Sequence, residues 1–112
     1  MPREKGMPGG TEMLLLSLLS RKEMYGYEMI ATLREQSDHV FDLKAGTLYP
    51  LLHGLEREGW VTSRDEVAKN RARRYYAITP AGRAPLEEQK ARWDAYAAGV
   101  RGVLEGGAYC GA

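Results

Sequence analysis

Four leucines constrain this chain more than any other feature. Leu48, Leu51, Leu52 and Leu55 follow the i, i+3, i+4, i+7 spacing of one helix face. The spacing predicts a helix from about Gly46 to Glu58 with a single packed stripe. Pro50 has no N–H and suits only the first turn, which places the helix start near Thr47. Gly59 then ends the helix as its C′ residue. With the packed face fixed, the opposite face carries Gly46, Pro50, His53 and Arg57, flanked by Thr47, Tyr49 and Gly54. Such a face is slim at its N-terminal end. It can approach a groove closely, and the free N–H groups of the first turn favour phosphate.

The flanking segments supply the rest of a fold. Thr11 is the expected N-cap of a first helix whose Met13, Leu14, Leu15, Leu16, Leu18 and Leu19 cover almost its whole circumference, as a central buried helix requires. A polar connection over Ser20 to Met24 leads to a second helix, Gly26 to Gln36, with Gly26, Ile30 and Leu33 on one face. Beyond Gly59, the runs Trp60 to Arg64 and Arg74 to Ile78 are rich in β-branched and aromatic residues and predict a hairpin with a long polar tip. Period-two alternation puts Arg73, Tyr75 and Ala77 on one face of its second strand and Arg74, Tyr76 and Ile78 on the other, the core side. Thr79 and Pro80 are an N-cap and N1 pair opening a last helix to about Leu104.

In that last helix Leu86, Trp93 and Val100 recur every seven residues, a seam for helix–helix association, with Tyr96 between them. Gly99 and Gly102 weaken its far end. The helix has no evident partner inside the domain, so a second copy of the chain is the expected one. The resulting fold class is mainly α with a small β-hairpin: a winged helix-turn-helix domain plus a C-terminal dimerisation helix. Residues 1–10 form an arm, 11–79 the winged domain, 80–105 the last helix and 106–112 a tail.

A length of 112 residues fits one domain, and 44% hydrophobic with 28% charged residues fits a globular chain rather than a disordered one. The net charge is only +1, which on its own argues against a basic nucleic-acid binder. Its distribution argues otherwise. Between Arg64 and Arg83 stand six basic residues (Arg64, Lys69, Arg71, Arg73, Arg74, Arg83) against two acidic ones (Asp65, Glu66), a local excess of +4. Lys69, Arg71, Arg73 and Arg74 belong to the hairpin and suit phosphate or minor-groove contact. The single cysteine, Cys110, cannot form an intrachain disulfide. His39 and His53 lie far from it and lack metal-ligand spacing, so no metal and no cofactor are expected. The run from Met13 to Leu19 is too short to span a bilayer, no export signal is visible, and the cytoplasm is the expected compartment. No motif pairs a nucleophile with a base, so an enzyme is not expected.

Two roles compete at several positions. Tyr49 either touches DNA or packs on the second helix, Tyr27 either touches DNA or lies in the core, and Arg57 is either a base or phosphate contact or a solvated charge. Trp93 and Tyr96 either fill a dimer core or stack on a flat effector.

Three strings carry a resemblance: Met24-Tyr25-Gly26-Tyr27-Glu28-Met29-Ile30, the run from Gly46 to Val61, and Arg73-Arg74-Tyr75-Tyr76-Ala77-Ile78-Thr79-Pro80-Ala81-Gly82-Arg83. In order and spacing they resemble the short, single-domain branch of the PadR family of transcriptional regulators, over about Thr11 to Trp93. The resemblance implies a homodimeric repressor that binds double-stranded DNA at a pseudo-palindromic operator and releases it when a small aromatic or hydrophobic effector binds. It also implies that Tyr25, Tyr27, Thr47, Tyr49, Pro50 and His53 face DNA. Lys44 stands just before the third helix, in reach of a phosphate. In multidrug-binding members a tryptophan of the last helix stacks on the ligand, and Trp93 sits in a comparable region. Gly54 stands where the family often has a basic residue, so one way of holding a phosphate is missing here. The rival from another class is a winged-helix module that holds a protein partner without DNA. The basic hairpin discriminates against it.

Overall fold

A computed structural model describes residues 10–106 of the chain. Its elements run α1 (Gly10–Leu19), β1 (Met24–Tyr25), α2 (Gly26–Gln36), α3 (Ala45–Arg57), β2 (Val61–Ala68), β3 (Arg71–Ile78) and α4 (Pro80–Glu105). Helices α1 to α3 with the β2–β3 hairpin form a winged helix-turn-helix.

α1 is the centre of the core. Met13, Leu15, Leu16, Leu18 and Leu19 are all buried, because the helix packs against α2, α4 and β3 at once. It begins at Gly10, so Thr11 is a helical residue and not the expected cap. α2 spans the predicted residues. It ends without glycine: Asp38 takes a φ of 56°, its N–H bonds the Glu35 carbonyl, and His39 N–H bonds the Arg34 carbonyl at 2.7 Å. This is a Schellman closure on an aspartate, one of the few residues that tolerate the left-handed region.

The leucine stripe packs as its spacing demands, with Leu48, Leu52 and Leu55 buried. α3 starts at Ala45, two residues earlier than Pro50 suggested. Pro50 therefore lies in the second turn, where its missing N–H deprives the Gly46 carbonyl of a helical donor. Both residues are exposed, so solvent can satisfy that carbonyl. Gly59, at φ 80°, closes the helix with bonds from its own N–H to Glu56 and from Trp60 N–H to Leu55.

The hairpin departs from expectation. Its strands are eight residues each and continue through the charged stretch to a two-residue turn, Lys69-Asn70, with φ of 52° and 62°. Two consecutive positive φ angles match the right-handed twist of the strands. There is no long tip. β1 adds a third strand, Met24 opposite Tyr76 and Tyr25 opposite Tyr75, giving the order β1-β3-β2. Two residues are too few to show a period in sequence.

α4 opens as predicted: the Thr79 hydroxyl accepts from Gly82 N–H at 3.2 Å and donates to the Gly59 carbonyl at 2.7 Å. Its first turns are not without a partner, because α4 packs on α1 and β3. Leu86, expected in a seam between subunits, is 2% exposed and belongs to the core of its own chain. Trp93 is partly buried and packs on the core edge. Farther on, Tyr96, Val100, Val103 and Leu104 are exposed.

Candidate nucleic-acid interface

Burial of the leucine stripe leaves the other face of α3 open. Gly46, Thr47, Pro50, His53 and Arg57 are all exposed, and Lys44 stands exposed at the N-cap. The Lys44 side chain makes no cap bond, so the first-turn N–H groups of α3 have no side-chain acceptor there. Leu51 is half-buried at the edge of this face.

α2 sets the second wall. A Cβ on Gly26 would overlap the Tyr49 hydroxyl, so the glycine is what lets α2 and α3 close up. Tyr49 is half-buried in that contact and keeps one edge in the cleft described below. Tyr27 is 69% exposed and is no part of the core.

β3 sets the third wall. Its alternation falls as expected: Tyr76 is buried, while Tyr75 and Arg73 share the outer face with Tyr25. Tyr25 and Tyr75 meet edge to face with centroids 5.5 Å apart, and the Arg73 guanidinium lies 4.3 Å from the Tyr25 centroid. A cleft opens where the three walls meet, lined by Tyr25, Tyr27, Tyr49, Arg71, Arg73 and Arg74. Tyrosine hydroxyls and guanidinium forks are hydrogen-bond donors that suit phosphate oxygens.

The basic side chains of the hairpin are not equivalent. Arg64 bonds Glu23, pairs with Glu66 at 3.3 Å and lies 5.3 Å from the Tyr75 centroid. The Glu23 carboxylate holds its guanidinium even more firmly protonated than usual. Arg74 grips Asp65 with two bonds, 3.1 and 3.3 Å. Arg71, Arg73 and Lys69 form no ion pair among the described residues. The alternation could not reveal this division, because it depends on the register that sets Asp65 opposite Arg74. The residues missed from sequence are Glu23, Ser63 and Asp65, which bond Arg64 or Arg74, and Glu56, which accepts from the Ser63 hydroxyl. The opposed charges of Asp65 and Arg74 were the only signal.

The last helix brings Trp93 and Tyr96 together, centroids 5.7 Å apart and tilted by 33°. Shallow apolar grooves run beside Tyr96, Val100 and Leu104. Among the described residues no cluster of three metal-ligating side chains occurs, and no helix is long and apolar enough to cross a membrane. Cys110 lies outside the described residues.

Residues 15–88 match the family described as the transcriptional regulator PadR-like family. The chain is 49% identical over 57 residues to the transcriptional regulator Rv3488 of Mycobacterium tuberculosis, a match covering 51% of this chain and 53% of that protein. The matched region thus spans about half the length of that relative. A crystal structure of a PadR family transcriptional regulator from Eggerthella lenta is 37% identical with a TM-score of 0.73, covering 87% of this chain and 83% of the other. A PadR-like transcriptional regulator from Bacillus cereus is 28% identical with a TM-score of 0.76, covering 90% and 97%. With its three strings, its winged helix-turn-helix and these relatives in agreement, the chain belongs to the PadR-like family of transcriptional regulators.

Proposed function

We propose that this regulator is a repressor that binds a pseudo-palindromic DNA site as a homodimer. The observation that carries the reading is the junction of two surfaces: the open face of α3, and the cleft beside it lined by Arg71 and Arg73, which form no ion pair among the described residues. The first presents Thr47, Pro50, His53 and Arg57 to a groove. The second presents cations and hydroxyls to the flanking phosphates. Lys44, Lys69, Tyr25, Tyr27 and Tyr49 extend the phosphate-facing rim. A two-fold dimer sets its two α3 helices about 34 Å apart, one duplex turn.

The test is a fluorescence-polarisation titration against duplexes from the DNA upstream of its own gene, at several salt concentrations. Affinity that depends on sequence and falls steeply with salt is expected, and Arg71→Ala with Arg73→Ala weakens binding to every duplex. Binding indifferent to sequence and salt rejects the reading.

The effector part rests on Trp93 and Tyr96, an aromatic pair at the edge of an apolar groove. Stacking of a flat ligand there quenches indole emission. In a Trp60→Phe background, phenolic acids and planar hydrophobic drugs are expected to quench Trp93 and to release DNA at the same concentrations. Release without quenching places the effector elsewhere.

A further inference from the structure

The wing and α3 are tied by one chain of polar contacts. The Ser63 hydroxyl donates to Glu56 Oε2 at 2.6 Å and accepts from Arg74 Nη1 at 3.3 Å. Arg74 Nε and Nη2 donate to the two oxygens of Asp65, so three of its five N–H donors are engaged. Glu56 belongs to α3, Ser63 and Asp65 to β2, and Arg74 to β3. A hydroxyl has one proton to give, and here it goes to the carboxylate while its lone pair takes the guanidinium. Together these contacts link α3 to both strands of the wing. Arg73, one residue earlier, points to the opposite face and lies 4.3 Å from the Tyr25 centroid; Glu66, opposite it in the register, pairs with Arg64, and Arg73 forms no ion pair among the described residues.

We propose that Arg74 is a positioning residue: acting through Ser63 and Glu56 it holds the wing at a fixed angle to α3, and phosphate contact falls to Arg73. This rests on the DNA-binding reading and assigns different work to two adjacent arginines. Surface ion pairs add little to global stability, so the effect of Arg74 shows in wing placement rather than in melting. An arginine also differs here from a lysine, whose compact ammonium lacks the planar fork that meets both Asp65 oxygens while a third N–H reaches Ser63.

Two measurements on the full-length chain test it. In polarisation titrations over salt, Arg73→Ala reduces the slope of log affinity against log salt by about 0.9 for each bound protomer, the value for one phosphate that is no longer neutralised. Arg74→Ala leaves the slope unchanged but lowers affinity at least about threefold, and Ser63→Ala and Arg74→Lys do the same. In the free protein, amide hydrogen exchange in β2 and β3 quickens in Arg74→Ala and Ser63→Ala, while α1 exchanges at the wild-type rate. A slope that falls with Arg74→Ala overturns the proposal, as does full affinity in Arg74→Lys. Wing exchange equal to wild type in both variants overturns it too, independently of DNA. Altered wing exchange in a protein that shows no salt-dependent binding keeps the bridge and sinks the DNA-binding reading instead.

Discussion

Gly26 and Gly82 show how single residues set the spacing of whole elements. A Cβ on Gly26 meets the end of the Tyr49 side chain, which can swing aside. A Cβ on Gly82 meets the Trp60 backbone carbonyl, which is held by Thr79 N–H at 2.9 Å and cannot. Both alanine variants are overpacked, but the backbone obstacle costs more. Gly82→Ala is expected to lower stability by about 3 kcal/mol and Gly26→Ala by about 1 kcal/mol, read by urea unfolding. Adding Tyr49→Ala makes Gly26→Ala harmless. Equal losses at the two glycines contradict this account. The same contact packs Tyr49 on α2 and leaves it lining the cleft. Tyr27, by contrast, has the solvent-facing place that its position at the start of α2 allows. At Tyr76, burial pushes the phenol above its ordinary range, which suits a neutral hydroxyl on the core side of β3.

Among the elements, the hairpin was the least legible. Asp65, Glu66, Lys69 and Arg71 look like a polar tip, yet all but Lys69 of the turn lie in regular strands. What compensates their weak strand preference is cross-strand pairing: Asp65 opposite Arg74, and Arg64 opposite Tyr75. These gains exist only in one register. The turn itself follows a rule of backbone geometry, since both Lys69 and Asn70 have positive φ. Replacing Lys69-Asn70 with Asn-Gly is therefore expected to raise stability by about 0.5–1 kcal/mol in thermal unfolding. A loss of stability rejects the two-residue turn. α2, α3 and α4 were far easier to read. Their stripes and caps are local, and the structure keeps them to within two residues at the starts of all three.

On the scale of the molecule, α4 is the element that a single chain leaves uncovered. The protein extends 66 × 28 × 28 Å, and the far half of α4 carries exposed Val100, Val103 and Leu104. Under the proposed function, this exposed apolar row is the face that a second copy covers. Val100→Asp with Leu104→Asp is expected to give a folded monomer by sedimentation, with helix content intact because these side chains lie outside the core. Under the proposed function DNA affinity falls with it, since one protomer would reach only one half-site. A dimer that survives both charges places the interface elsewhere.

The leucine stripe, the Gly59 and Thr79 caps and the three strings set the order of the helices and the hairpin, the open face of α3 and the family, because each is a local relation between residues a few positions apart. Only the tertiary structure decided that Leu86 belongs to its own core, that a two-residue strand completes the sheet, and that Arg73 and Arg74 are differently engaged. Those outcomes depend on which residues meet across the fold, and pairing between distant segments leaves no period for a sequence to display.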